Sequence, residues 1–533
     1  MCSGYKTTFF FITFALILGL GLWLRLKDIS TRPMHGDEAN QTYRFEMLFE
    51  ENKFEYEPID YHGPTLYYLT LPFVWLSGLN EYSESTKAHF RIVPIFFSIL
   101  LGLSSLLFLK PLGYIGALSM TLFFMVSPAM VYYSTYYIQE LLLLCFSSFL
   151  IGSLYQTIQT KKVFWAITTG LSLGLMQATK ETFILTLAAL FLTSVFLLKR
   201  SEPLNIPKGI TKKILIAIFL PACFISFLFY SSFFTNLKGP FQSITAFKYQ
   251  IQRGLGNHEF EERFTSGIAH SKPFDYYLNN LVGSYPKKLS STIKDITRNT
   301  PARPIFEICL LLIPLIGFYN LKRSNKEDKL FYISTAIFSF GLFFIYSCIP
   351  YKTPWCMLNF LIGFITLSAV SIKMAVQNFS LHSNKVFLFL SLLLVIDLTR
   401  QASLINTEEF CVTDKNPYAY VQPYYDIENL SEKIIKISET AGNHYSMPIH
   451  FLTPDYWPLP WYLKKFENVG YWENKTPSFS LTQVPVIVTT PDKDKLIASL
   501  KDTHISEYRG RMPGYDLLVF YRKDLWNKTH DIH

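Results

Sequence analysis

Phe9-Phe10-Phe11-Ile12-Thr13-Phe14-Ala15-Leu16-Ile17-Leu18-Gly19-Leu20-Gly21-Leu22-Trp23-Leu24 ends at Arg25 and is followed shortly by Met34-His35-Gly36-Asp37-Glu38-Ala39. The first run reads as a membrane span, and the second places two adjacent carboxylates close to its exit. Acids are costly beside a bilayer, so an acid pair there is a candidate for chemistry, either deprotonating an acceptor or binding a metal. The plainer reading is a solvated loop whose acids start a short helix, where Asp is favoured.

The 533-residue chain makes the membrane setting general: half of it is hydrophobic, 17% aromatic and only 17% charged. That composition describes a polytopic membrane protein. Apolar runs of spanning length begin near Phe9, Ile92, Tyr114, Ile138, Val163, Thr182, Ile214, Ile305, Leu330, Cys356 and Val386, eleven in all. Leu66 to Leu79 is also apolar, but it is short, follows a proline and contains Pro72, so it reads as an interfacial helix. Counting it as a span would invert every later loop. The positive-inside rule decides against that, because the present count puts Lys6, Lys110, Lys161, Lys162, the Lys199–Lys213 cluster, Lys322, Lys326, Lys373 and Lys385 in the cytoplasm. The expected arrangement is a multi-pass protein of the inner or plasma membrane, with its N-terminus cytoplasmic and the first span uncleaved. The net charge of +9 is mostly this lysine excess and gives no support for a nucleic-acid partner. Seven cysteines are scattered without metal-type spacing.

This topology makes residues 1–400 a transmembrane domain with long outer loops at 25–91 and 235–302. Residues 401–533 form a small extracytoplasmic α/β domain. Helices are expected over Ile427–Thr440 and Asp494–Leu500, and strands over Val484–Val488 and Leu517–Tyr521. In the first loop, Asp37 to Glu50 forms a helix with Ala39, Tyr43, Met47 and Leu48 on one side. No glycine-rich phosphate loop is present.

Unusual chemistry collects in the outer segments. They hold His35, Asp37, Glu38 and His62, then Glu140, then Thr179-Lys180-Glu181, then His270, Lys272 and Tyr276, and finally Tyr351, Lys352 and Trp355. Arg91 opens the second span. A sugar donor linked to a polyprenyl phosphate needs cations at headgroup level, and Arg91, Lys180, Lys272 and Lys352 are available. Each could instead be an anchor that snorkels to the headgroups. Asp37 is the best-placed base for an acceptor hydroxyl. His62 and His270, together with a carboxylate, could hold a divalent cation; the alternative is hydrogen bonding to substrate or backbone.

Arg32-Pro33-Met34-His35-Gly36-Asp37-Glu38-Ala39, Tyr61-His62-Gly63-Pro64, His270-Ser271-Lys272-Pro273-Phe274-Asp275-Tyr276-Tyr277, Ile349-Pro350-Tyr351-Lys352-Thr353-Pro354-Trp355 and Asp455-Tyr456-Trp457-Pro458-Leu459-Pro460-Trp461-Tyr462 carry a family likeness. The chain resembles the GT-C superfamily of membrane glycosyltransferases, and within it the flippase activity-associated, dolichyl-phosphate-mannose-mannosyltransferase-like family. The resemblance implies a GT-C type helical domain and inverting transfer from a polyprenyl-phosphate sugar lipid to a glycan, lipid or protein acceptor. Asp37 would act as base and Glu38 as its supporting neighbour. In the related aminoarabinose transferase, a glutamate before an interfacial helix and a later histidine hold zinc. Here His62 stands in the glutamate's place and His270 resembles the later histidine. The chain also departs from relatives in having Tyr136-Tyr137-Ile138-Gln139-Glu140, with no arginine ahead of Glu140. The rival reading is a non-enzymatic, flippase-associated protein that handles lipid-linked glycans. A transporter would place ionisable groups in mid-span and show inverted repeats, and neither is evident.

Overall fold

The computed structural model describes residues 2–59, 61–199, 211–255, 270–282, 305–413, 416–454, 456–472, 475 and 477–530. Parts of the 235–302 loop, Lys208 of the Lys199–Lys213 cluster and Asp455 lie outside the described residues. The chain divides into two compact units. The first comprises 1–29, 52–78 and 88–418; the second comprises 30–51, 79–87 and 419–533.

Unit 1 is helical, and every one of the eleven apolar runs falls on a helix. Among the described residues, seven helices are long and apolar enough to cross a membrane, and Val163–Gln177 and Phe183–Leu197 are shorter apolar helices. Lys87–Val126 is helical over 40 residues. At 1.5 Å per residue that is about 60 Å, twice the hydrocarbon thickness. Gly113 breaks it with φ 61°, a left-handed conformation that glycine adopts without steric cost. Two spans therefore follow one another there, as the separate runs at Ile92 and Tyr114 predict.

Thr65–Ser77 is a helix of 13 residues, about 20 Å long, too short to span. Gly78 closes it in the left-handed conformation, donating to the carbonyls of Trp75 and Val74.

The helix Met357–Asn378 is central: it packs on Leu109–Val126, Glu140–Thr160, Ile305–Asn320 and Lys326–Cys348. The span containing it is 89% buried, against 17% for Ser383–Leu404. Phe9, Leu16, Phe219, Leu388 and Phe389 point outward. Such apolar exposure would drive association in water and suits a lipid surround.

Unit 2 is built on five strands: β1 (Ile449–Phe451), β2 (Val469–Tyr471), β3 (Val486–Thr489), β4 (His504–Met512) and β5 (Tyr515–Arg522). Their order is β2-β1-β3-β5-β4; β1 runs parallel to β2 and β3, and β5 runs antiparallel to β3 and β4. Asp426–Thr440 buries Ile427, Leu430, Ile434 and Ile437 against one face of the sheet, on Phe451, Val488 and Val519. The other face carries Ile487, Leu518 and Phe520. Alternation along β5 divides Leu517, Val519 and Tyr521 from Leu518 and Phe520, as a sheet covered on both sides requires.

The compact units meet at 418/419, eighteen residues past the expected 400/401: the last long helix runs on to Leu404 and the following turn packs with unit 1. Residues 30–51 and 79–87 of the first loop also join unit 2. Within Gly36–Glu51 the buried side holds Glu38, Ala39, Gln41, Thr42, Phe45 and Leu48, whereas Tyr43 is 52% exposed. The expected face is thus rotated. Polar groups turn inward because they find partners, as when Tyr82 Oη donates to Thr42 Oγ1 at 2.9 Å.

Candidate functional site

In unit 1, Tyr61-His62-Gly63-Pro64 docks on the turn 177–182. Thr65 N–H donates to Ala178 O at 3.1 Å, and the Thr65 and Thr179 hydroxyls are 2.8 Å apart. A Cβ on Gly63 would lie 2.1 Å from Ala178 O, so only glycine permits this approach. The docking brings His62 Nδ1 to 2.9 Å from Glu181 Oε2. Tyr56 Oη donates to the other carboxylate oxygen at 3.4 Å. Burial and Lys180 lower the His62 pKa, against the opposing pull of Glu181. Burial pushes Glu181 up, but the His62 contact outweighs it and holds the carboxyl below its ordinary range. The pair is therefore a neutral imidazole donating Nδ1–H to a carboxylate. Its Nε2 lone pair remains able to accept a proton, a hydrogen bond or a cation.

These shifts have a sign. Because His62 titrates lower when folded than its ordinary 6.5, the unfolded chain takes the proton first. The pair's stability is complete above that pH and is lost as pH falls through and below it. Glu181 adds a loss only at lower pH, beneath its ordinary 4.5. The melting temperature should therefore fall on acidification from neutral pH, and His62→Gln should remove part of that slope. An unchanged slope in the variant would refute the assignment.

Beside this pair, Lys180 and Glu140 form an ion pair in which both side chains are buried. Burial draws Lys180 down, yet the Glu140 carboxylate more than offsets it and keeps the ammonium charged. Glu140 opens the helix Glu140–Thr160. Cys356, 3.2 Å from Thr353 Oγ1, lies within electrostatic reach of both partners.

The 270–277 and 349–355 segments meet directly. Lys272 N–H donates to Pro350 O and Lys352 N–H to His270 O, both at 3.0 Å, and Ser271 and Tyr351 form an antiparallel bridge. His270 stacks on Tyr351 with ring centroids 4.8 Å apart. Tyr277 Oη donates to Thr353 O at 3.2 Å, beside buried Tyr276. Trp355 lies 6.3 Å from the Tyr133 ring and 6.4 Å from Tyr136. Tyr351 N–H donates to Gly254 O at 3.4 Å and Arg253 to Ile59 O at 3.3 Å, which ties this ladder to the His62 loop.

The four expected phosphate cations differ. Arg91 is fully buried and donates to Ile29 O at 3.0 Å. Lys180 is paired. Lys352 is 1% exposed, with its ammonium on the carbonyls of Lys272 (3.1 Å) and Ile349 (2.5 Å). Only Lys272, half-buried, has no ammonium acceptor among the described residues.

In unit 2, His35 caps the helix Gly36–Glu51. Its Nδ1 accepts from Asp37 N–H at 3.1 Å, while Nε2 donates to Tyr420 O at 3.1 Å, an arrangement that requires the neutral Nε2–H tautomer. Glu38, 0% exposed, reaches back to His35 N–H at 3.1 Å and pairs with Arg32 at 3.6 Å. This is a capping box with histidine in the usual Ser/Thr position. It gives Glu38 a holding role and leaves Asp37, 54% exposed, facing solvent.

Of the two histidines expected to share a ligand, His62 Nδ1 meets Glu181 and the His270 ring stacks on Tyr351. Among the described residues no three His, Cys, Asp or Glu side chains gather as a metal site. Tyr56 and the role of Glu181 were missed by sequence reasoning; Thr179-Lys180-Glu181 at a span junction was the available signal.

No family model matches the chain, and no curated protein matches it. Solved structures do. ArnT from Cupriavidus metallidurans bound to undecaprenyl phosphate is 14% identical, with 96% of this chain and 98% of that one covered at a TM-score of 0.56. The Archaeoglobus fulgidus oligosaccharyltransferase in complex with Zn and sulfate is 12% identical, covering 97% and 76% at 0.53. Archaeal oligosaccharyltransferase AglB from Archaeoglobus fulgidus, in complex with an inhibitory peptide and a dolichol-phosphate, is 11% identical, covering 98% and 77% at 0.55. Over nearly its whole length, this chain shares the fold of ArnT and of the archaeal oligosaccharyltransferase.

Proposed function

We propose that the chain is an integral membrane glycosyltransferase that moves a sugar from a polyprenyl-phosphate-linked donor to an acceptor at the outer membrane face. The observation that carries this reading is the convergence in unit 1 of His62–Glu181, Lys180–Glu140 and the 270–272/350–352 ladder, in a fold otherwise seen holding undecaprenyl phosphate and dolichol-phosphate. Lys272 contacts the donor phosphate, with Arg91, Lys180 and Lys352 supplying positive potential around it. The acceptor hydroxyl attacks the anomeric carbon from the face opposite the phosphate, and Asp37 takes its proton. The bond from that carbon to the phosphate oxygen breaks, and the polyprenyl phosphate leaves with the electron pair. The sugar is thereby inverted.

Exposure supports Asp37 as base, since a base must reach its proton and Glu38 is committed to the cap. The lysine distribution supports a cytoplasmic N-terminus and an extracytoplasmic unit 2. Purified chain in lipid, given polyprenyl-phosphate sugars labelled in the sugar, should release polyprenyl phosphate and pass label to an acceptor fraction from the cell envelope. Donor left intact with every sugar and acceptor fraction tried would sink the enzyme reading.

A further inference from the structure

Within unit 2, the helix Gly36–Glu51 and the segment 457–471 enclose a cavity of about 210 Å³. Its walls include Tyr43, Tyr82, Trp457, Trp461 and Tyr471, with Glu46 and Lys464 among them. The floor is rigid. Lys464 Nζ sits 3.3 Å from the Trp461 ring centroid and donates to Ser85 O at 2.6 Å and Ser85 Oγ at 3.0 Å. Tyr471 is braced by Phe451, stacked 5.1 Å away, and by Tyr456 at 4.6 Å.

The rim is different: Tyr43 is 52% exposed and Tyr471 40% exposed. Tyr43 meets Trp457 edge-on at 6.2 Å. Among the described residues, the Tyr43 and Tyr471 hydroxyls, the Trp457 indole N–H and the Glu46 carboxyl have no hydrogen-bond partner. Apolar faces thus alternate with polar tips that the fold leaves unsatisfied. A ligand with both an apolar C–H face and a ring of hydroxyls satisfies both at once.

We propose that this cavity binds a single pyranose ring of a glycan, laid against Trp457 and Tyr471, with its hydroxyls on Glu46 and the aromatic polar tips. A volume of about 210 Å³ gives room for one sugar ring. A lipid chain would leave Glu46 without a partner. Burial, reinforced by Glu50, pushes the Glu46 carboxyl up to about 7. Near neutral pH it can therefore either donate to or accept from a sugar hydroxyl. None of these residues takes part in the proposed transfer chemistry.

The test uses the full chain in nanodiscs and saturation-transfer NMR with methyl pyranosides of glucose, galactose, mannose and N-acetylglucosamine. At least one should bind saturably, with Kd on the order of 1 mM. Trp457→Ala and Tyr471→Ala should each weaken it by up to about tenfold. Tyr471→Phe, which keeps the ring and the packing, should weaken it less, and equal melting temperatures would exclude a folding defect. Asp37→Asn should bind like wild type even if transfer is lost, which separates this site from the catalytic reading. No saturable binding by any of the four, or binding that survives Trp457→Ala with Tyr471→Ala, would overturn the proposal.

Discussion

Asp37→Asn should lower sugar transfer by about 10²–10⁴ while expression, melting temperature and donor binding stay at wild-type levels. The amide keeps the shape and cannot take a proton. It also leaves the helix start intact, because the capping interactions run through the Asp37 backbone N–H, His35 and Glu38, not through the Asp37 side chain. Glu38→Gln should show the opposite pattern. It strips the charge facing Arg32, which is 1% exposed, and so breaks one half of a buried ion pair. Breaking one half of a buried pair commonly costs about 3–5 kcal/mol, so this variant should lose stability but keep turnover per folded molecule. The two neighbours are thus separable by measuring kcat and melting temperature together. Transfer by Asp37→Asn within tenfold of wild type would move the base role elsewhere. His62, oriented by Glu181 with Nε2 available, would then be the first residue to examine.

The second large effect is expected at Lys180. Lys180→Met should destabilise the protein by about 3–5 kcal/mol, since it abandons Glu140, only 2% exposed, without its cation. Adding Glu140→Gln should recover most of that stability, because a buried pair is often replaceable by neutral groups. If Lys180 also supplies potential to the donor phosphate, the stable double variant remains slow, with a raised KM for donor. A double variant as stable and as active as wild type would reduce the pair to scaffolding. Thermal unfolding and donor titration on the three proteins decide between these outcomes.

The parts of the molecule that were legible beforehand are those set by local pattern. Eleven apolar runs became helices because hydropathy is a property of consecutive residues, and Ile427–Thr440 was visible through its apolar spacing. The strands β1 and β2 were not visible: each is three residues long and has meaning only beside its neighbour. The segments Tyr61–Pro64, 270–277 and 349–355 stood out by their residue types, but their pairings could not be read. His62 and Glu181 are 119 positions apart, and the Lys352 ammonium meets a carbonyl 80 positions away. Nothing local favours His62–Glu181 over His62–His270. The choice is made by Gly63, whose lack of a side chain lets its loop press on the Ala178 carbonyl.

The division of the chain has a consequence for biogenesis. Residues 30–51 leave the ribosome early, yet their partners are made last. The Met34 N–H meets Tyr462 Oη at 2.7 Å, and the Pro33 carbonyl accepts from Gln422 at 3.0 Å, contacts spanning 428 and 389 positions. During synthesis at about 5–20 residues per second, the helix that begins at Gly36 waits tens of seconds or longer for the strands that will hold it. Its Phe45 and Leu48, sealed in the finished protein, stand uncovered for that interval. Such a nascent segment is a natural client for a holdase, and a premature stop anywhere before the sheet is complete would strand it in that condition.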